Sequence, residues 1–274
     1  MSQEDTYSSP TAYVYTRYDI DKPPPHPGKE WTRFICISDT HSRRYKVPNG
    51  DVLLHSGDLS SWGYAPQIET TIKWLEGLPH PVKIVIAGNH DLAMDLKCAT
   101  DEQWAAQSGG LLPLKEVEGA RARIHSESAK KAGIHYLEYE SMSFTTNSGR
   151  TWEVYGSPGT PKYALGAFQY RSHSEEAVEV HSHIPPTTEI LLTHTPPFGT
   201  CDRTRKDKHA GCPALAARLD SGKLMACKLH IFGHIHEAFG IAVKPADDSC
   251  CERISVNAAM PDSSLATIVD LLND

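Results

Sequence analysis

The stretch RFICISDTH, residues 33–41, is a short apolar run that closes on a cluster of polar side chains. Runs of four to six residues rich in Ile, Val and Leu, bounded by polar residues, are typical of buried β-strands. The same arrangement recurs along the chain in DVLLHSGDLS, KIVIAGNHD, TEILLTHTPP and LHIFGHIHE. The sequence therefore predicts several buried strands, each of which ends in groups that could carry chemistry.

The segments between these runs predict helices and further strands. Residues 66–76 and 213–219 have the apolar spacing of amphipathic helices. Alternating apolar patterns without intervening helices, such as TWEVYGS and LATIVDLL, indicate hairpins and mixed sheets. The order of these elements predicts an α/β fold of layered sheets with helices outside.

The domain organisation is predicted from composition along the chain. Residues 1–29 are polar and proline-rich, so we expect an extended N-terminal arm followed by a single domain over residues 30–274. The segment 156–176 is rich in Gly, Pro and aromatic residues and predicts a long loop at the rim of a site. The polar, basic segment 200–212 predicts either a mobile lip that selects substrate or an ordinary exposed loop.

Composition limits the classes of partner. The 274 residues include 27 basic and 34 acidic side chains, a formal net charge of −7, which disfavours nucleic acid as a partner. No run approaches the roughly 18 apolar residues of a membrane span, and the start MSQEDTYSSP does not resemble a secretory signal. We therefore expect a cytoplasmic protein with no membrane partner, whose seven cysteines are reduced thiols.

The polar residues that follow the predicted strands are of metal-ligand types. Ligands of α/β sheets bind beyond the carboxyl ends of strands, so we expect these groups to share one site. Carboxylates, imidazoles and an amide oxygen suit divalent ions such as Mn, Fe and Zn. Each fragment alone has an ordinary alternative as a turn, a cap or a buried histidine, but five fragments at strand ends favour a metal centre. The candidates are Asp39, His41, Asp58, Asn89, His90, Asp91, His194, His234 and His236.

The ordered fragments SDTH, SGDL, GNHD, LTHT and FGHIH resemble the pattern of the calcineurin-like metallophosphoesterase superfamily. The blocks around them are most similar to its metallophosphoesterase domain-containing branch. The resemblance implies that residues 30–274 form one metallophosphoesterase domain. It also implies a four-layer αββα sandwich, in which two mixed β-sheets pack face to face with helices outside.

The resemblance further implies two divalent metal ions, Mn, Fe or Zn, with a bridging hydroxide. Asp58 would be shared by both ions. With few carboxylates among the ligands, the loaded site would attract a phosphate anion even on an acidic protein. The other implied ligands are Asp39, His41 and His236 for the first ion, and Asn89, His194 and His234 for the second.

Other side chains have expected roles around the ions. By the resemblance, His90 is a catalytic residue that contacts phosphate and donates a proton to the leaving oxygen, with Asn89 also near the substrate. Arg43 is a candidate substrate contact or a solvated loop arginine. Asp91 would orient His90 or cap a helix. His55 would support the ligands or be a hydrogen-bonded core histidine.

The expected activity is hydrolysis of a small phosphate mono- or diester, and the branch resemblance favours a nucleotide or cyclic nucleotide. Protein phosphatase activity is not expected, because GDLSSWG replaces the G-D-x-x-D-R-G of that branch, with Ser61 and Trp62 in place of Asp and Arg. One alternative is a nuclease of the same superfamily, against which the net charge counts. The other is a nucleotide-binding metalloprotein or scaffold with little turnover.

Overall fold

The computed structural model describes residues 6–247, 250–260 and 265–273. This part of the chain contains both helices and strands. The helices are α1 (Ala65–Glu76), α2 (Lys97–Thr100), α3 (Glu102–Ser108), α4 (Leu114–Ile124), α5 (Glu127–Lys131), α6 (Glu175–Ser182) and α7 (Pro213–Asp220). The strands are β1 (Thr6–Ser8), β2 (Ala12–Tyr15), β3 (Trp31–Ile37), β4 (Val52–Ser56), β5 (Val82–Ile86), β6 (Ile134–Tyr136), β7 (Glu140–Thr145), β8 (Thr151–Ser157), β9 (Thr160–Pro161), β10 (Gln169–Tyr170), β11 (Ile190–Thr193), β12 (Leu229–Phe232), β13 (Gly240–Lys244), β14 (Arg253–Asn257) and β15 (Thr267–Leu272).

The strands form two mixed sheets and one short parallel pair, β9 with β10. The first sheet has the order β1-β2-β15-β3-β4-β5-β6, in which β3 to β6 are parallel and β15 is antiparallel to its neighbours. The second has the order β13-β14-β12-β11-β8-β7, with four parallel central strands and an antiparallel strand at each edge. The predicted mixed sheets are therefore confirmed.

Strand β3 shows why both faces of the first sheet are covered. Phe34 packs in a cluster between the two sheets, with its ring centroid 5.4 Å from that of Trp152 on β8. Ile35 and Ile37 belong to a second cluster, which includes residues of α1, α4 and α5. A third cluster joins the other sheet to α6 and α7. The layers follow the order α, β, β, α, which confirms the predicted sandwich.

Two helices correspond to the helices predicted from apolar spacing. Helices α1 and α7 cover the predicted ranges 66–76 and 213–219, and each has a proline in its first turn, where the missing N–H has no cost. No helix among the described residues is both long and apolar enough to cross a bilayer. All seven cysteines are free thiols.

Residues 6–15 differ from the N-terminal arm expected over residues 1–29. Strands β1 and β2 form a hairpin, and β2 pairs antiparallel with β15. The physical reason is the alternation AYVY, which buries Ala12 and Val14 in the cluster between the sheets. Residues 16–30 form neither a helix nor a strand. The expected boundary after residue 29 therefore does not separate the sheet from what precedes it.

A buried ion pair joins β3 to β15. The Arg33 guanidinium donates from Nε and Nη2 to the two Asp270 carboxylate oxygens, each at 2.7 Å. Its Nη1 and Nη2 also donate to the main-chain oxygens of Pro24 and Pro25, at 2.7 and 2.9 Å. One arginine thus fixes the proline-rich segment against the sheet.

We expect Asp270→Ala to lower the free energy of unfolding by about 3–5 kcal/mol, because the Arg33 charge would remain buried without its partner. Denaturant unfolding followed by circular dichroism measures the change. Glu30→Ala is the control, because Glu30 forms only an exposed pair with Lys29 at 3.9 Å and should cost less than about 1 kcal/mol. Equal losses in the two variants would contradict the role given to the buried pair.

Candidate metal centre

The candidate ligands lie just beyond the carboxyl ends of five strands that belong to both sheets. Strands β3, β4 and β5 are parallel neighbours in the first sheet, and β11 and β12 are parallel neighbours in the second. Their ends meet at one edge of the sandwich, which brings together residues far apart in the chain. In chain order the candidates are Asp39 and His41 after β3, Asp58 after β4, Asn89 and His90 after β5, His194 after β11, and His234 and His236 after β12.

Asp39, His41 and His236 form the first group of potential ligands. His236 Nε2 lies 3.2 Å from Asp39 Oδ1 and 3.2 Å from His41 Nε2. His41 Nδ1 lies 3.1 Å from the main-chain oxygen of Ser60, to which we assign it as a donor. This assignment leaves the lone pair of the neutral ring on Nε2. The three ligand atoms lie within 4.8 Å of one another, so all three side chains could hold one cation.

Asp58, Asn89 and His194 form the second group. His194 Nε2 lies 3.0 Å from Asn89 Oδ1 and 3.2 Å from Asp58 Oδ1. His194 Nδ1 is 2.8 Å from the Ser56 main-chain oxygen and donates to it, so Nε2 of a neutral ring carries a lone pair. Once a metal ion displaces the second ring proton of His194, three acceptor atoms face one another. A cation among them satisfies all three, so the donor set fits a metal ion.

Asp58 lies between the two groups. Its Oδ1 faces His194, whereas its Oδ2 lies 3.9 Å from His41 Nε2. The main-chain N–H of His90 also donates to Oδ1, at 2.9 Å. The carboxylate is thus held with one oxygen toward each group.

His234 lies beside the second group. Its ring centroid is 5.1 Å from that of His194, and its main-chain N–H donates to both Asp39 oxygens at 3.1 and 3.0 Å. Burial, followed by the His194 charge, lowers the pKa of His234 to about 4. The ring is therefore neutral near pH 7, which is the form that binds metals.

Several candidate ligands have a left-handed backbone conformation. Asp39, His41, Asp58 and His234 have φ angles of 56°, 48°, 56° and 68°. Such angles are uncommon outside glycine and are found at functional sites, where the surrounding structure enforces them. The chain therefore turns sharply after β3, β4 and β12, where these candidate ligands lie.

The two buried carboxylates set the charge of the centre. Burial alone would raise the pKa of Asp58, but the charge and hydrogen bond of His194 hold it well below its usual range. The pKa of Asp39 is also lowered despite its burial, by the His236 hydrogen bond and the His194 charge. Burial alone would lower the pKa of His194, but Asp58 and Asp39 raise it to about 9. The centre therefore attracts positive charge, either as a proton or as a cation.

His90 lies over the centre as an exposed side chain. Its ring centroid is 4.9 Å from that of His41. Its Nδ1 lies 2.7 Å from the main-chain oxygen of Ser61, and the Ser61 hydroxyl donates to the His41 oxygen at 2.6 Å. Ser61 thus orients His90 through a carbonyl group, a role that residue type cannot reveal. Arg43 is exposed, and its proposed contact with substrate stays a prediction.

Asp91 has neither of its expected roles. It makes no side-chain cap on the short 3₁₀ helix that follows. Its carboxylate instead accepts from the main-chain N–H groups of Leu59, Ser60 and Gly88 and from the Ser60 hydroxyl, at 2.7 to 3.0 Å. Burial and, second, the Asp58 charge raise the pKa of Asp91 to about 6, although these hydrogen bonds act to lower it. Asp91 therefore ties the loop after β4 to the loop after β5.

His55 is a buried support for the loops that carry ligands. Its Nδ1 accepts from Gly57 N–H at 3.3 Å, and its Nε2 is 2.9 Å from the Thr40 hydroxyl. Burial lowers the pKa of His55 to about 3, so the ring is neutral. His55 therefore has both of its expected roles. It is a hydrogen-bonded core histidine, and it supports the ligands by joining the loops after β3 and β4.

Two loops predicted near the site lie beside ligand segments. The segment 156–176 contains β9 and β10, and Ala167 N–H donates to the Asn89 main-chain oxygen at 2.9 Å. In the segment 200–212, the Asp202 carboxylate accepts from two main-chain N–H groups and lies 2.5 Å from His209 Nδ1. Arg205 N–H donates to Glu237, the residue after His236, at 2.7 Å. Both segments hydrogen-bond to residues that are, or that directly follow, candidate ligands.

Comparisons with known proteins agree with this geometry. The family model for calcineurin-like phosphoesterases matches residues 32–238. The chain belongs to this family. The predicted resemblance is confirmed, and by class the protein is a metal-dependent phosphohydrolase.

Two curated relatives and one solved structure are similar to this phosphoesterase. Metallophosphoesterase domain-containing protein 1 of Homo sapiens is 31% identical over 86% of this chain and 75% of the human protein. The "Probable rhamnogalacturonate lyase C" of Emericella nidulans is 36% identical over 76% of this chain but only 17% of its own length, so most of that protein lies outside the alignment. A solved crystal structure shares the fold with a TM-score of 0.51 and 18% identity, over 83% of this chain and 90% of its own.

Two glycines of the phosphoesterase site leave no space for a side chain. A Cβ atom on Gly233 would lie 1.9 Å from Asp39 Oδ2, and one on Gly88 would lie 2.3 Å from Asp58 Oδ1. The backbone therefore approaches both carboxylates more closely than any other residue type allows. These glycines position the acids that set the charge of the centre.

We expect Gly233→Ala to lose about half or more of the bound metal, because the new methyl group would displace the Asp39 carboxylate. Metal content after incubation with Mn²⁺ and desalting, read by elemental analysis, measures the loss. Gly119→Ala on α4 is the matched control, because a Cβ there meets nothing within 4 Å, and it should keep the full metal content. Equal metal content in the two variants would contradict the close approach of Gly233 to Asp39.

Proposed function

We propose that the protein hydrolyses a small phosphate mono- or diester with two divalent cations bound in the metal centre. The observation that carries this proposal is the convergence of two groups of donor atoms on the two oxygens of Asp58. The proposed ligands are Asp39, His41, Asp58 and His236 for the first cation, and Asp58, Asn89, His194 and His234 for the second.

When bound, two divalent cations polarise a phosphoryl oxygen and lower the pKa of an attacking water. The protein holds the donor atoms for them. Asp39 and Asp58 supply only two negative charges to the centre, so four positive charges leave it cationic. A phosphate anion is thus attracted locally although the chain has a net charge of −7.

His90 is the proposed proton donor to the leaving oxygen. Its Nδ1 is engaged with the Ser61 carbonyl, which leaves Nε2 to hold the transferred proton. A ligand atom of His90 also lies within 4.8 Å of those of His41 and Asp58. The ring can therefore contact a phosphate group bound at the centre, and Asn89 and Arg43 are the other proposed contacts.

For the substrate class, we favour nucleotides or cyclic nucleotides, on the branch resemblance of the sequence blocks around the ligands. The decisive experiment is a panel of phenyl phosphate, bis(p-nitrophenyl) phosphate, nucleoside monophosphates and cyclic nucleotides, assayed after reconstitution with Mn²⁺, Fe²⁺ or Zn²⁺. Metal-dependent turnover of at least one class is expected. Tight nucleotide binding without turnover would instead support the alternative of a nucleotide-binding metalloprotein.

We expect Asp58→Asn to lose more metal than His41→Ala, because Asp58 is the proposed ligand of both cations and one of only two charged ligands. The asparagine variant should retain fewer than about one ion per chain and the alanine variant about one, since it lacks a ligand of a single cation. Elemental analysis of the reconstituted proteins makes the comparison. Retention of both ions by Asp58→Asn would refute the shared ligand.

We expect His90→Ala to reduce the hydrolysis of an alkyl phosphate ester by about 10²–10⁴-fold, because a poor leaving group needs a proton from a general acid. An aryl ester of an acidic phenol should lose far less. The kcat values of both substrates, measured in the same metal, test this. His125→Ala, an exposed histidine at the end of α4, is the control and should change neither rate. Equal losses on both esters would mean that His90 only positions the substrate.

A further inference from the structure

Trp62 is a large, exposed apolar side chain on the loop that follows β4 and also carries Asp58. Its exposed fraction is 71%. Single exposed apolar residues are ordinary on protein surfaces, so exposure alone assigns no role. The position of Trp62 in the chain and the hydrogen bonds that fix its main chain are what point to a function.

The residue before Trp62 contacts both histidines on the open side of the centre. The Ser61 main-chain oxygen lies 2.7 Å from His90 Nδ1, and the Ser61 hydroxyl donates to the His41 oxygen at 2.6 Å. The indole is therefore carried by the same short segment that orients the proposed proton donor. Because His90 protonates the leaving oxygen in the proposed reaction, this segment borders the leaving group.

The backbone around Trp62 is fixed on both sides. Trp62 N–H donates to Gln67 Oε1 at 2.8 Å, which anchors it to α1. The Gly63 main-chain oxygen accepts from Ala93 N–H at 2.8 Å, and a Cβ on Gly63 would lie 2.5 Å from the Leu92 side chain. The main chain at Trp62 is therefore already ordered, so a ligand that binds against the indole does not have to order this segment.

We propose that Trp62 stacks on a planar aromatic ring in the leaving group of the substrate, and so selects aryl or nucleoside phosphates over alkyl phosphates. The inference rests on the proposed function for the location of the leaving group. Indole offers a broad apolar face with a negative quadrupole, and stacking on it is insensitive to the identity of the ring. A stacked base–aromatic contact corresponds to about 10- to 100-fold in affinity.

The test compares the binding of adenosine 5′-monophosphate and inorganic phosphate to the Mn²⁺-reconstituted protein by calorimetry. Trp62→Ala should weaken nucleotide binding by about 10- to 100-fold and leave phosphate binding within about 2-fold. Trp62→Phe should restore most of the loss, because it keeps an aromatic face. Trp31→Ala is the matched control, since Trp31 begins β3 at the end opposite the centre, and it should change neither affinity.

Each outcome decides between the inference and the function on which it rests. Unchanged nucleotide affinity in Trp62→Ala, or equal losses for nucleotide and phosphate, would overturn the stacking role even if the unaltered protein hydrolyses phosphoesters. Equal affinity of the unaltered protein for the two probes would also overturn it. If the expected binding pattern is found but no phosphoester is hydrolysed, the stacking role is supported and the proposed hydrolysis is refuted.

Discussion

The organisation of the centre depends on two buried carboxylates, Asp39 and Asp58. Within the described ranges, neither has an ion pair with lysine or arginine, and the side chains paired with them are histidines. A buried charge requires compensation, which main-chain N–H groups and imidazoles give only in part. Asp58 Oδ1 and Asn89 Oδ1 both lie close to His194 Nε2. A cation bound between these three atoms would interact favourably with all of them. The need for positive charge therefore explains why the ligands come from both sheets.

The fold meets this need by geometry at the strand ends. Parallel strands bring their carboxyl ends to one edge, and left-handed residues such as Asp58 turn the chain sharply there. Such turns would be unstable in isolation, because their φ angles are unfavourable for residues other than glycine. His55 and Asp91 supply the missing stability, since each hydrogen-bonds between neighbouring loops. The strained turns at the ligands are thus supported by buried polar groups that are not proposed ligands themselves.

The sequence predicted the features that are local and missed those that depend on distant partners. The buried strands and the order of the ligands follow from short patterns, and the apolar residues of β3 anticipate a sheet covered on both faces. Pairing of β2 with β15 joins residues about 255 positions apart, and no local pattern encodes it. Asp91 accepts hydrogen bonds from main-chain N–H groups about 30 residues away. The residues next to it suggested a helix cap or a contact with His90 instead. Ser61 orients His90 through a carbonyl group, which every residue possesses.

In the proposed reaction, the cations and the leaving group are contacted by different parts of the chain. The donor atoms come from turns that follow buried strands, where packing and hydrogen bonds leave little freedom for substitution. The proposed rim comprises Trp62 and the segments 156–176 and 200–212, which hydrogen-bond near ligands without belonging to the donor set. A change of rim residue can therefore alter the leaving group that is accepted while the cations stay in place. This separation explains why the ligand pattern identifies a reaction class, whereas the substrate must be inferred from residues outside it.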